Sequence, residues 1–120
     1  MLTYLHWELH SFPNRPEGIE IIDGQIEIDP ALGDTSPIQL SSDCLSKIEK
    51  VIDQAGFWNW RRSYFEDGVF DGTQWLLKVR GGKTGNRRKT SEGSNLFPKG
   101  WETIDWGMRE LRQEILRQDT

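Results

Sequence analysis

Apolar and polar residues alternate from Leu2 to His10, with Leu5, Trp7 and Leu9 on one side and Tyr4, His6, Glu8 and His10 on the other. That period of two is the signature of a strand with one buried face, and Phe12-Pro13-Asn14-Arg15-Pro16 ends it. Ile19 to Ile28 reads as a hairpin around Asp23-Gly24, a dipeptide that accepts the positive φ angles of a two-residue type I′ turn. A loop of that length sets Ile21 opposite Ile26, Ile19 opposite Ile28 and Glu20 opposite Glu27. The isoleucines then share the buried face, and the two glutamates, a mildly unfavourable like-charge pair, belong in water. Residues 29–40, with two prolines and a glycine, read as a linking loop.

Ser41-Ser42-Asp43 starts a helix, because a short hydroxyl or carboxylate accepts a bond from a free amide of the first turn. Leu45, Ile48, Val51, Ile52 and Ala55 form its apolar stripe, and Gly56 supplies a left-handed stop. Residues 57–70 are aromatic and irregular. Thr73 to Arg80 alternates again, with Trp75, Leu77 and Val79 on one face and Gln74, Leu76, Lys78 and Arg80 on the other. A Gly-rich turn over 81–86 leads to a polar strand from Arg87 to Glu92 that reads as a sheet edge. Trp101, Ile104, Met108, Leu111 and Ile115 then mark a long amphipathic helix. The order β-β-β-α-β-β-α predicts an α+β fold: a two-layer sandwich of about five antiparallel strands with two helices packed on one face.

Length and composition add boundaries. A chain of 120 residues predicts a single domain over 1–120, and its large rings, six Trp, five Phe and two Tyr, offset a low apolar fraction and argue against disorder. One cysteine leaves no internal disulfide, and the first residues lack a secretory pattern, so a cytoplasmic location is expected. Charge is unevenly spread: residues 1–60 carry a net of -7 and residues 61–120 a net of +3. Such a dipolar protein can face an anionic partner on one side and a basic one on the other.

Candidate chemistry is thin. His6, Glu8 and His10 share a strand face, yet two strand residues four apart are separated by about 13 Å, too far for both imidazoles to reach one ion. Cys44 sits in a helix first turn without a paired histidine and reads as a small structural thiol. The acidic loop 66–72 lacks the alternating carboxylates of a calcium loop, and Asp71 is expected to fix a turn by bonding backbone amides. No cofactor is expected.

Two surfaces stand out. Lys83, Arg87, Arg88 and Lys89 crowd a Gly-rich hairpin within 78–89, where two roles fit: contact with a polyanion, or an edge strand charged against aggregation. Gly82-Lys83-Thr84 mimics only part of a phosphate loop, since no helix opens after it. Trp106 lies about 200° around the last helix from Ile104, near Arg109 and Gln113, where two roles fit: an interface anchor, or a ring covered by a loop or by the aromatic segment 57–65.

Phe57, Tyr64, Asp71, Gly72, Trp75, Gly93, Ser94, Asn95, Pro98 and Trp101 form a pattern, an aromatic, a Tyr, Asp-Gly-x-x-Trp, then Gly-Ser-Asn-x-x-Pro before a closing helix. In this it resembles a family of small bacterial proteins with no assigned activity. The pattern covers roughly the last two thirds of the chain. The expectation from all of this is a non-catalytic protein-interaction module, an inhibitor of immunity type or an accessory subunit of a larger bacterial complex, with defence systems among the settings. The alternative is a nucleic-acid-binding accessory protein that uses the basic hairpin with Arg61, Arg62 and Lys99. No membrane partner is expected.

Overall fold

In the computed structural model, which describes residues 1–11, 13–30, 36–65 and 72–118, each predicted element forms. In chain order these are β1 (Tyr4–Ser11), β2 (Glu17–Ile22), β3 (Gln25–Ile28), β4 (Ile38–Gln39), α1 (Ser42–Gln54), a 3-10 turn (Phe57–Asn59), β5 (Ser63–Phe65), β6 (Thr73–Gly81), β7 (Arg87–Ser94) and α2 (Trp101–Gln118). The hairpin register is the one the Asp-Gly turn dictates, with Ile19 across from Ile28, Ile21 from Ile26 and Glu20 from Glu27. Asp23 and Gly24 both take positive φ, 48° and 82°.

The described residues form an α+β fold with seven strands, in the order β4-β3-β2-β1-β6-β7-β5, where about five were expected. The two additions are short. Ile38–Gln39 pairs with Gln25 and Ile26 from within the stretch read as a loop, and Ser63–Phe65 is too brief to display an alternation. The expectation of a purely antiparallel sheet is corrected as well, because β5 runs parallel to β7, Tyr64 lying beside Gly93. Consequently β7 is an edge only along Arg87–Thr90; its second half is covered.

One core joins the layers. Leu5, Trp7 and Leu9 of β1, Ile19 and Ile21 of β2, Ile26 and Ile28 of β3, and Trp75, Leu77 and Val79 of β6 all face the helices and are buried. Against them α1 sets Ile48 and Ile52, and α2 sets Trp101, Ile104, Met108, Leu111 and Ile115, every member of its predicted stripe. At about 25 cal/mol per Å² of apolar surface, this burial dominates the stabilisation. The opposite face of the sheet has no helix over it among the described residues.

Local chemistry sets the helix ends. Ser41 Oγ accepts from the Cys44 amide at 3.1 Å, and Gly56 leaves α1 with φ of 71°. A polar clamp fixes α2 against the sheet: Arg112 Nε and Nη2 donate to the two carboxylate oxygens of Asp29 at 3.0 and 2.6 Å, and Oδ1 also accepts from the Gly18 amide at 2.8 Å. Burial disfavours the Asp29 anion, but the bonds from Arg112 and Gly18 outweigh it and hold its pKa below the ordinary carboxylate value. The ionised clamp therefore contributes stability that is present above the unfolded carboxyl pKa and is lost as pH falls through the lower folded value. Arg112→Ala should cost about 2–3 kcal/mol at neutral pH by stranding a mostly buried carboxylate. In urea unfolding followed from pH 7 to pH 3, the gap from the parent should narrow with acid; a gap independent of pH would refute the clamp.

Candidate interaction surfaces

The residues of the Trp and Gly-Ser-Asn pattern converge on one aromatic cluster between the helices and the β5–β7 end of the sheet. Trp75 packs against Trp101 with ring centroids 4.7 Å apart and edge-on against Trp60 at 5.8 Å, while Tyr64 and Phe97 flank it. Its indole N–H donates to the Leu96 carbonyl at 2.9 Å. Trp60 in turn donates to the carbonyls of Ala55, at 3.2 Å, and Lys99, at 3.1 Å, tying the end of α1 to the start of α2. Asn95, at φ of 60°, accepts from the Thr73 amide at 2.8 Å, and a side chain on Gly72 would collide with the Asn95 amide. These positions build the fold, and of the turn's side chains Ser94 faces the open side of the sheet, beside Gln74. Asp71 and the rest of the acidic loop over 66–71 lie outside the described residues.

On the helical layer Trp106 is 69% exposed, the largest apolar side chain left in water among the described residues. Among the described residues neither a loop nor the aromatic segment 57–65 covers it. Arg109 is engaged on both sides, with Asp105 at 3.0 Å and Glu17 at 3.3 Å, and Gln113 is exposed. The three share one side of α2, spaced by three and four residues.

The basic hairpin is divided by its own alternation. Arg87 stacks over the Trp58 ring, 4.5 Å from its centroid, and Lys89 Nζ donates to the Trp58 carbonyl at 3.0 Å, so both sit on the helical side. Arg88 points the other way, onto the open face, and Lys83 stands exposed at the tip. The four cations therefore form no single patch. Arg61 lies over Tyr64 at 4.6 Å, and Arg62 approaches Glu92 at 3.7 Å.

The sequence reading missed the cluster that Arg88 does join. Cross-strand pairing aligns Ile22, Tyr4, Arg80 and Arg88 in one row and Glu27, Glu20, His6, Lys78 and Thr90 in the next. Lys78 and Arg80 had been placed on one face, but the hairpin register that brings in Arg88 was not carried through. In the second row His6 Nδ1 lies 3.0 Å from Glu20, and its Nε2 lies 3.4 Å from Glu8. Tyr4 donates its hydroxyl to Glu20 at 3.2 Å; burial, and then the adjacent carboxylate, push its pKa up and keep it a neutral donor. Among the described residues no three His, Cys, Asp or Glu side chains are grouped to hold a metal ion. Burial, followed by Glu114, raises the pKa of Cys44, which works against a thiolate. No described helix is long and apolar enough to cross a membrane.

Compared with known protein families and with curated proteins, the chain matches no family model and no curated protein.

The exposure of Trp106 has a direct optical consequence. Trp106→Phe should remove a large share of the tryptophan emission that iodide can quench and shift the remaining spectrum to the blue, since Trp7, Trp60, Trp75 and Trp101 are buried and Trp58 is half-buried beneath Arg87. Unchanged quenching in the variant would mean that Trp106 is covered.

Proposed function

We propose that the chain is a non-catalytic protein-interaction module, either an inhibitor of immunity type or an accessory subunit of a larger bacterial complex, defence assemblies included, working in the cytoplasm. The observation that carries this reading is the bare indole of Trp106. The α2 stripe fills the core without it, so the fold gains little from a large ring at that position. Burying such a side chain in a partner is worth roughly 1.5–3 kcal/mol, and Trp is the residue most enriched among energetic anchors of protein interfaces. Arg109, held in place by Asp105 and Glu17, presents an ordered guanidinium beside it.

A second reading, contact with nucleic acid, is supported by the gathering of Lys78, Arg80 and Arg88 on the open face. Against it stands the dispersal of the hairpin cations to opposite sides of the sheet.

Tagged protein used as bait in a lysate of its native host, with and without nuclease, separates the two. The protein-binding reading expects the same partner under both conditions, modest sensitivity to salt, and at least a tenfold loss of capture for Trp106→Ala, a hot-spot deletion of about 2 kcal/mol. Lys83→Ala with Arg87→Ala should leave capture intact. Recovery that vanishes with nuclease and falls steeply with salt would overturn it in favour of nucleic acid.

A further inference from the structure

The open face of the sheet carries two neighbouring depressions of opposite charge. One, of about 350 Å³, is bordered by Tyr4, Lys78, Arg80 and Arg88; the other, of about 390 Å³, by Glu20, Asp23 and Glu27. Ile22 borders both and is 51% exposed. Around these depressions charge follows chain order: β2, β3 and their turn supply Glu20, Asp23 and Glu27, whereas β6 and β7 supply Lys78, Arg80 and Arg88, with Glu8 and Glu92 in the row beyond Lys78.

In each depression like charges are set against each other. Arg80 lies directly across from Arg88, and Glu20 directly across from Glu27, pairings that weaken a sheet. Among the described residues Lys78, Arg80 and Arg88 have no carboxylate partner; Arg80 Nε is held instead by the Thr3 hydroxyl at 3.0 Å. Tyr4 and His6 hold Glu20, and among the described residues no side chain bonds to the carboxylate of Glu27 or Asp23. Water and salt screen this repulsion on both sides of an exposed isoleucine, and an occupant of complementary charge at each end relieves it further.

We infer that this face docks a segment of a partner protein that crosses the strands, with carboxylates at Lys78, Arg80 and Arg88, an apolar side chain on Ile22, and ammonium or guanidinium groups at Glu27 and Asp23. The inference rests on the protein-binding reading for the class of occupant. From β3 to β7 is four strand spacings, about 19 Å, which about six extended residues span. A nucleic acid strand satisfies one end of that path and is repelled at the other, since its phosphates recur along its whole length. A protein segment places acid and base where each is needed.

The test is a titration of the full, nitrogen-15-labelled chain at low salt with acetyl-Asp-Asp-Leu-Lys-Lys amide, read from backbone amide and arginine Nε shifts. The expected result is saturable shifts at Ile22, Glu27, Arg80 and Arg88, with affinity reduced about three- to fivefold by Arg88→Gln and by Glu27→Gln. Arg88→Gln should also raise the melting temperature by about 2 °C, because it removes the repulsion from Arg80. Absence of shifts at these residues overturns the inference, as does equal binding of a peptide with aspartates at both ends. Tighter binding of octathymidylate at Arg80 and Arg88 overturns it in favour of nucleic acid. Trp106→Ala must leave the peptide shifts unchanged, so failure of the helical-surface reading appears only in lysate capture and failure here only in the titration.

Discussion

The indole of Trp75 occupies the space beside Gly93, a strand position that has no side chain. A Cβ on Gly93 would come within 2.5 Å of the Trp75 ring nitrogen and 2.7 Å of the Tyr64 carbonyl, so only glycine lets the ring settle onto β7 while β5 pairs alongside. From that seat Trp75 reaches Trp60, Trp101, Tyr64 and Phe97, and through Trp60 the end of α1 is bonded to the chain entering α2. Gly100 completes the joint, because any side chain there would strike the Ala55 carbonyl. This contact ties the end of α1 to the start of α2, and the Asp29–Arg112 clamp ties the later part of α2 to the end of β3.

That arrangement decides which surfaces remain. With the helices held on one face, α2 turns Trp106 away from the core, and the other face of the sheet is left to Tyr4, His6, Glu20, Lys78, Arg80 and Arg88. The protein thus offers an aromatic point on its helical layer and a charge-divided plane behind. On the proposed protein-binding reading, the ring would supply affinity and the charges orientation and rate.

Much of this was legible in the sequence because its periodicities are clean. Leu5-x-Trp7-x-Leu9, the isoleucine hairpin and the Trp101 to Ile115 stripe each specify a face without help from tertiary contacts, and Asp23-Gly24 fixes a register. Ile38–Gln39 and Ser63–Phe65 were not legible: strands of two and three residues exist only because a neighbouring strand offers them a ladder. The surfaces divided in the same way. Trp106 could be read from one helix, whereas the cationic group of Lys78, Arg80 and Arg88 depends on pairing between β6 and β7 and on the closeness of β1 and β2. The hairpin cations looked like one patch in the sequence because alternation was not applied to Arg87, Arg88 and Lys89.

The Gly-Ser-Asn stretch serves as a framework for Trp75. Chemical unfolding of Gly93→Ala, with near-ultraviolet circular dichroism of the native state, tests this directly. The expected result is a loss of about 2–3 kcal/mol, from overpacking against a ring and a backbone carbonyl, together with a weakened aromatic signal. Parental stability and an unchanged aromatic spectrum, combined with lost capture of the partner, would contradict it and place the turn in the interface.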